Sequence, residues 1–271
     1  MKVSVNGKIL KDNEAGLIPA EGVFHGVGLF ETVRLQDGHP LRWEAHCQRL
    51  AAGCPILGLP LPPDTKLWQQ QAEALSLAAK MPDGALRLTW SKRRDTADLI
   101  LSIRPFPYSA EAWDRGFKLG VSPWQRNPGS PTAGLKTCSY VDNLLIRREA
   151  ESRGFDEAIL LTPDGHLCEG SFTNLFFTAG GVICTPDFTC GPLPGIMRAE
   201  VLKLADRLGF EILEGRFTMD TLRAAEEIFV TNALLGIMPV FHLEKHSLPK
   251  HNPVTTDLMR AMAETDDATP C

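Results

Sequence analysis

Apolar residues in the first part of the chain follow strand spacing and helix spacing in turn, which predicts a small α+β unit. A hairpin is predicted at the N-terminus, where Val3 and Val5 alternate with polar residues before an Asn-Gly turn at 6–7. The segment GLFETVRLQDGHPLRW, residues 28–43, predicts a second strand pair with its turn at 37–38. The other elements predicted here are two helices, over 44–54 and 65–80, and two strands, over 85–90 and 98–104.

Residues 105–134 break this pattern, because five prolines and four glycines fall among them. Such punctuation predicts an interdomain connection followed by a long loop. Beyond it the pattern predicts a helix over 141–153, a helix beginning near Gly195, and strands over 157–162, 171–178, 211–217 and 227–231. We therefore expect an α+β protein of two domains separated by a cleft. The small α+β domain covers 1–108, the linker and loop 109–135 form one wall of the cleft, and the larger domain covers 136–271.

Composition narrows the class of partner. The 271 residues are 44% hydrophobic and 23% charged, which suits a protein with sizeable buried cores. With a net charge of −5 and a pI of about 5.8, the chain favours neither nucleic acid nor an anionic membrane surface. Its basic cluster, Lys92-Arg93-Arg94, is either a solvated edge or a contact for an acidic substrate.

Cysteine usage and the N-terminal sequence bear on the cellular compartment. The seven cysteines form no CxxC pair, and the histidines show no zinc-ligand spacing, so no metal site is expected. MKVSVNGKIL lacks the apolar core of a secretory signal, and no apolar run approaches the length of a membrane span. We therefore expect reduced thiols and a cytoplasmic protein.

Three segments carry candidate chemistry. Lys136 stands in GLKTCSYVDNLL, directly before an apolar-periodic helix, where a surface lysine is the ordinary interpretation. Glu169, 33 residues later in CEGSFTNLFF, precedes an apolar strand and would ordinarily be a solvated turn residue. Beside a pyridine cofactor it would instead keep the ring nitrogen protonated. Gly195 opens a helix in LPGIMRAEVLKLADRLGF, and the bare amides of a first helical turn favour a phosphate.

Taken together, these segments resemble the class IV aminotransferases, which are fold-type IV enzymes that use pyridoxal 5'-phosphate (PLP). The resemblance runs from the N-terminal NGK turn to VTNALLGIMPV and is most specific in three stretches: KTCSYVDNLLIRREAESRGFDEAILLTPDGHLCEGSFTNLFF, GIMR and EEIFVTNALLGIMPV. It implies a larger C-terminal domain with a mixed, barrel-like sheet and surrounding helices. It also implies a homodimer that acts on small-molecule amines and carboxylates.

The resemblance assigns cofactor roles to individual residues. Lys136 matches the Schiff-base lysine that also moves protons, Glu169 the carboxylate on the pyridine nitrogen, and Arg49, in AHCQRL, the phosphate-binding arginine. The remaining matches are Ile196 and Met197, whose amides would hold the phosphate, Asn232 and Ala233, which would close over it through the backbone, and Tyr140 on the ring oxygen. A core tyrosine is the rival interpretation of Tyr140.

Thr32 decides which reaction is expected. Where GLFETVR has Thr32, the related branched-chain aminotransferases have glycine, the D-amino-acid aminotransferases have an aliphatic residue, and the lyases of the family have threonine. The resemblance therefore implies a lyase that eliminates pyruvate from 4-amino-4-deoxychorismate to give 4-aminobenzoate for folate synthesis. A β-branched residue chosen for a strand is the alternative meaning of Thr32. Branched-chain or D-amino-acid transamination is the alternative activity, and a non-catalytic PLP-binding protein is a more distant one.

Substrate carboxylates call for cations near the cofactor. Arg87, Lys92 and Arg93 lie on or just after a strand whose counterpart in relatives carries a carboxylate-binding arginine. The loop SKRRDT departs from the glycine-rich pattern of the lyases, which leaves open which of the three binds substrate. His25, in FHGVG, is either a further cleft residue or a structural histidine.

Overall fold

The structure, a computed structural model, describes residues 2–11, 14 and 20–267. Contacts divide these residues into two units. The first unit comprises residues up to Pro107 together with Leu135–Tyr140. The second comprises Tyr108–Gly134 together with the residues from Val141 onward.

The first unit is built on a six-stranded antiparallel sheet in the order β2-β1-β6-β5-β3-β4. Its elements are β1 (Lys2–Val5), β2 (Lys8–Lys11), α1 (Glu21–Phe24), β3 (Gly28–Gln36), β4 (His39–Pro40), α2 (Trp43–Gly53), α3 (Thr65–Ala79), β5 (Gly84–Arg93) and β6 (Thr96–Arg104). Both predicted turns form, at Asn6-Gly7 and Asp37-Gly38, where all four residues have positive φ. Because this conformation favours Asn, Asp and Gly, the two dipeptides fix the registers of their hairpins.

Alternation along β3 sorts its side chains between two faces. Leu29, Val33 and Leu35 join a buried cluster with residues of α2 and α3, and Trp68 and Trp90 meet in the same cluster at 4.9 Å between ring centroids. Residues at the intervening positions, including Thr32, therefore point to the opposite face of the sheet. Helices α2 and α3 pack on the face that carries Leu29, Val33 and Leu35.

The second unit is built on a mixed sheet in the order β12-β11-β10-β13-β14-β7-β8-β9, with β15 paired to β14. Its elements are α4 (Glu111–Arg115), β7 (Phe117–Gln125), α5 (Val141–Ser152), β8 (Glu157–Leu161), β9 (Leu167–Gly170), β10 (Asn174–Ala179), β11 (Val182–Pro186), α6 (Ile196–Arg207), β12 (Ile212–Gly215), α7 (Met219–Arg223), β13 (Glu227–Asn232), β14 (Gly236–Leu243), β15 (His246–Ser247) and α8 (Pro253–Asp267). The pairs β7–β8, β7–β14 and β11–β12 are parallel, and the other pairs are antiparallel. Since β9 also approaches β10 and β11, the sheet curls toward a barrel. The predicted α+β fold with a mixed, barrel-like sheet is confirmed.

Aromatic side chains pack on both faces of this sheet. Phe176 and Phe229 stack at 5.0 Å on the face that α6 and α8 cover. Their neighbour Phe177 points the other way and meets Phe217 edge-on at 5.0 Å. Strands β10 and β13 are thus buried on both faces, which explains their nearly continuous apolar sequences.

Two predictions about local structure are wrong. Residues 109–135 are not a linker and loop, because they contain α4 and β7, and β7 lies inside the second sheet between β14 and β8. Pro123 accounts for the error: the pairing of β7 with β8 shifts register between Val121 and Gln125, so the strand accommodates a proline that normally indicates a break. The strand predicted from residue 171 begins at Asn174 instead.

Candidate active site

Lys136 lies against the edge of β3 in the first unit. The Phe30 amide donates to the Lys136 carbonyl at 2.9 Å, and the Cys138 amide donates to the Gly28 carbonyl at 2.8 Å. These bonds attach residues 136–138 to an edge of β3 that no other strand of the described chain covers at these positions. The Lys136 Nζ atom lies 4.5 Å from the centroid of the Phe30 ring and 5.4 Å from that of Tyr140. The two rings meet edge-on at 5.0 Å, so this lysine is held beside an aromatic pair.

Thr32 and Arg87 share the face on which this lysine lies. They are directly opposed in the β3–β5 register, so their side chains project from the same side of the sheet. The Arg87 guanidinium lies 3.7 Å from the Phe30 ring centroid, and its Nε donates to the Thr89 hydroxyl at 3.3 Å. The structure therefore brings a lysine, a threonine hydroxyl and a guanidinium together around Phe30.

The other three candidate substrate residues are placed differently. Lys92 donates from Nζ to the Gly58 carbonyl at 2.5 Å. Arg93 pairs with Asp98 at 2.9 Å near the end of β5. His25 is exposed just after α1, and its carbonyl accepts from the Ser139 hydroxyl at 3.3 Å. Of the three basic candidates, Arg87 is the one grouped with Thr32.

Arg49 lies on the helix-covered side of the same strand, paired with Glu31. The Glu31 carboxylate accepts from Arg49 Nε at 2.8 Å and Nη2 at 2.5 Å, and from His46 Nδ1 at 2.7 Å. Burial alone would raise the pKa of Glu31, but the Arg49 charge and these hydrogen bonds outweigh it and lower the pKa to about 2. Burial lowers the pKa of His46, against the opposing effect of Glu31. We call these three residues the Glu31 cluster.

Glu169 is the residue before the last of β9 in the second unit and is buried. Its carboxylate accepts from Arg126 Nη2 at 3.0 Å and from the Leu193 amide at 2.9 Å. The Leu193 carbonyl in turn accepts from Asn174 Nδ2 at 2.9 Å. These hydrogen bonds link Glu169 to the segment that precedes α6.

The start of α6 offers main-chain donors without a side-chain cap. Gly195 is the N-cap residue and has no side chain to cap the first amides of the helix, among them those of Ile196 and Met197. A Cβ atom at Gly195 would lie 1.9 Å from Asn174 Oδ1. Only glycine fits this close approach, which leaves the helix start as a bare set of amides suited to an anion.

Asn232 is the last residue of β13, and Ala233 follows it in the turn to β14. The Asn232 Oδ1 atom accepts from the amides of Leu234 and Leu235, both at 2.9 Å, and its Nδ2 donates to the Phe172 carbonyl at 3.4 Å. The Asn232 side chain thus shapes the turn, so any contact that the turn offers a ligand is more readily made by the backbone.

Sequence reasoning missed Arg126, Glu31 and His46. Arg126 lies in the segment interpreted as a loop, and no local motif indicates it. Glu31 interrupts the apolar positions of β3, which was a usable signal because a charged residue on a core face requires a partner. The partners lie 15 and 18 residues away on α2.

Comparison with known proteins defines the class. The model of the family "Amino-transferase class IV" matches residues 28–243, most of the chain. The chain therefore belongs to the class IV aminotransferase family and is an enzyme of the aminotransferase or lyase type.

Relatives of two activities are similar to this chain. A branched-chain-amino-acid aminotransferase of Salmonella typhimurium is 30% identical over 261 residues, covering 87% of this chain and 82% of the relative. The aminodeoxychorismate lyase of Bacillus subtilis is 27% identical over 257 residues, with 90% and 87% covered.

Solved structures of both kinds share the fold. The 4-amino-4-deoxychorismate lyase of Pseudomonas aeruginosa superimposes with a TM-score of 0.84 at 28% identity, covering 98% of each chain. A branched-chain amino acid aminotransferase of T.th., solved with pyridoxamine 5'-phosphate, gives a TM-score of 0.88 at 24% identity, with 99% and 95% covered. At that identity the second likeness shows the fold alone.

Among residues 2–11, 14 and 20–267, no helix combines the length and apolar character needed to cross a membrane.

Proposed function

We propose that this protein is a PLP-dependent 4-amino-4-deoxychorismate lyase, which eliminates pyruvate and releases 4-aminobenzoate for folate synthesis. The observation that carries the proposal is the shared face of β3 and β5, where Thr32 and Arg87 are directly opposed and Arg87 and Lys136 both contact Phe30. The related lyases have threonine at the position of Thr32, whereas the related transaminases do not.

The side chains present fit PLP. The uncapped start of α6 and the glycine that precedes it suit a phosphate, and Glu169 suits a protonated pyridine nitrogen. We propose that Lys136 binds the cofactor covalently and that Arg49 joins the amides of Ile196 and Met197 on its phosphate. The backbone of Asn232 and Ala233 would close over the phosphate, and Tyr140 would donate to the ring oxygen. When bound, PLP supplies an electron-accepting ring that stabilises negative charge on the amine-bearing carbon of the substrate.

The residues of the β3 face have separate tasks in this proposal. Lys136 Nζ removes the proton from the amine-bearing carbon, since it is the amine of this face. Thr32 supplies a hydroxyl hydrogen bond to the ether oxygen of the enolpyruvyl group as the carbon–oxygen bond breaks. Arg87 holds a substrate carboxylate, with Lys92, Arg93 and His25 as the remaining candidates. Loss of the enolpyruvyl group and of the proton leaves an aromatic ring, which favours elimination over transamination.

Transamination of branched-chain or D-amino acids is the second candidate, because an aminotransferase and a lyase resemble this chain to a similar degree. The discriminating assay measures 4-aminobenzoate from aminodeoxychorismate beside a panel of L- and D-amino acids with 2-oxoglutarate. We expect 4-aminobenzoate formation to dominate. Brisk transamination without 4-aminobenzoate would refute the lyase proposal in favour of the transaminase, and absence of both activities would support a non-catalytic PLP-binding protein.

Thr32→Ala tests the residue on which the choice of reaction rests. A hydroxyl that assists proton transfer typically contributes up to about 10²-fold, so 4-aminobenzoate release should fall by a factor of that order. PLP binding, followed by absorbance, should stay unchanged because Arg49 and the α6 amides remain. A variant that keeps wild-type lyase turnover would assign Thr32 to strand structure alone.

We also propose a homodimer in the cytoplasm. Val141, Leu144 and Leu145 are exposed by 62%, 44% and 49% at helical spacing on α5, a surface suited to a second copy of the chain. The six cysteines of the described residues are all free, as expected in a reducing compartment. Light scattering on the purified protein should give about twice the chain mass of 29.8 kDa, and a monomer at assay concentration would contradict the dimer.

A further inference from the structure

The Glu31 cluster places two buried ionisable side chains, Glu31 and His46, and the partly buried Arg49 within a hydrophobic layer. The exposed fraction of the side chain is 1% for Glu31, 2% for His46 and 14% for Arg49. The residues of β3 on either side of Glu31 on this face, Leu29 and Val33, belong to the buried apolar cluster of the first unit.

Stability alone gives a weak reason for such a cluster. Two charges that leave water lose hydration, and their mutual attraction roughly offsets that loss, so apolar side chains of similar volume generally serve a core as well. A buried pair that holds one member in a defined orientation has a clearer use, because a ligand then meets a group that is already ordered.

We propose that Glu31 is a positioning residue that, with His46, orients the Arg49 guanidinium toward the phosphate of the cofactor. The inference rests on the proposed function, in which Arg49 binds that phosphate. Glu31 acts through Arg49 and not by direct contact with the cofactor.

The geometry of the pair supports this role. Glu31 accepts from Nε and Nη2, which lie along one edge of the guanidinium. Because the group is planar, a bidentate contact on that edge fixes the plane and directs the remaining N–H bonds away from Glu31. Arg49 therefore does not have to give up side-chain freedom when a phosphate binds.

His46 adds a further contact to one oxygen of the same carboxylate. Its Nδ1 atom lies 2.7 Å from Glu31 Oε2, the oxygen that also accepts from Arg49 Nη2. A neutral imidazole makes this bond only as the tautomer protonated on Nδ1. Glu31 Oε2 thus accepts from both His46 and Arg49 Nη2, and Glu31 Oε1 accepts from Arg49 Nε.

The test compares the affinity of the full-length protein for PLP with its affinity for pyridoxal, which lacks the phosphate. Both are titrated by absorbance. The dissociation constant for pyridoxal divided by that for PLP measures phosphate recognition, and a large ratio means a strong preference for the phosphate. We expect Glu31→Gln to reduce this ratio about tenfold, the lower range seen when a group behind a ligand-binding residue is removed, while pyridoxal binding changes little. Glu31→Asp keeps the charge but shortens the side chain, and it should reduce the ratio by roughly threefold or more on the same reasoning.

Three further variants separate the possible failures. Glu227→Gln removes another buried carboxylate, one that accepts from Val254 and Thr255 at the start of α8, and it should lower thermal stability without changing the ratio. Arg49→Met should abolish most of the phosphate preference, and adding Glu31→Gln to it should have no further effect. If Arg49→Met leaves the ratio intact, the proposed role of Arg49 in the function is wrong.

If Arg49→Met greatly reduces the ratio while Glu31→Gln and Glu31→Asp retain the wild-type value, Glu31 serves folding only and the inference is overturned. An additive loss in the double variant has the same consequence. Should Glu31→Gln fail to fold, Glu31→Asp decides alone: a reduced ratio supports the positioning role, and an unchanged one overturns it.

Discussion

Acid should weaken the fold through Glu31 by an amount that its pKa determines. The pKa of this carboxyl is lowered from 4.5 to about 2, with burial opposing and Arg49 and His46 producing the shift. A carboxyl with a lowered pKa in the folded protein stabilises the fold fully above pH 4.5, and this stabilisation is lost as the pH falls toward 2. The difference corresponds to about 3 kcal/mol in total, of which about 2 kcal/mol should be lost by pH 3.

Comparison with Glu31→Gln isolates this contribution from that of other carboxyl groups. At pH 7 the variant leaves the partly buried Arg49 without this carboxylate, which should reduce the free energy of unfolding by roughly 3 kcal/mol, the lower end of the range for a fully buried pair. Since protonated glutamate resembles glutamine, the gap between wild type and variant should narrow by about 2 kcal/mol between pH 7 and pH 3. Urea unfolding followed by circular dichroism at both pH values measures the gap. A gap that stays constant would show that Glu31 is not the ionised partner of Arg49.

Three other variants test the cofactor residues. Lys136→Ala should lose turnover by several orders of magnitude, because it removes both the proposed covalent link and the proton carrier. Borohydride treatment of the wild type should attach the cofactor to the peptide containing Lys136. An adduct on another lysine would contradict the assignment. Glu169→Gln should retain PLP and the fold but lose turnover by about 10²-fold, as at other preorganised charged sites, and wild-type turnover would remove Glu169 from the site. Gly195→Ala should weaken PLP binding, since its Cβ atom would lie 1.9 Å from Asn174 Oδ1. Adding Asn174→Ser to this variant should restore part of the binding. Gly215→Ala is the control, because its Cβ would lie 3.4 Å from its nearest neighbour, and it should leave PLP binding unchanged.

The elements that the sequence predicts well are those specified by local chemistry. Turns at 6–7 and 37–38 follow from Asn-Gly and Asp-Gly, and the helices α2 and α3 follow from their apolar spacing. The strand predicted from residue 171 fails for a tertiary reason. Residues 171–173 bend to donate four hydrogen bonds to a buried carboxylate, Glu157, and apolar pattern says nothing about that partner.

The residues of the candidate site fall into the same two groups, those indicated by local sequence and those that depend on tertiary contacts. Lys136, Glu169 and Arg49 are detectable because their surrounding motifs resemble a family, although each residue alone resembles an ordinary surface position. Arg126 and the pairing of Glu31 with His46 depend on distant segments meeting in the fold, so the spacing along the chain does not indicate them.

The attachment of residues 136–138 to β3 has a practical consequence for anyone who wishes to produce the first unit separately. A fragment ending at residue 107 would lack the carbonyl and amide that satisfy Phe30 and Gly28. An uncovered strand edge with apolar neighbours is a template for pairing with another chain, so such a fragment should aggregate. Supplying residues 135–140 as a tethered segment, joined by a flexible Gly/Ser linker, should restore solubility. We therefore expect the short segment that carries the catalytic candidate also to limit self-association of the first unit.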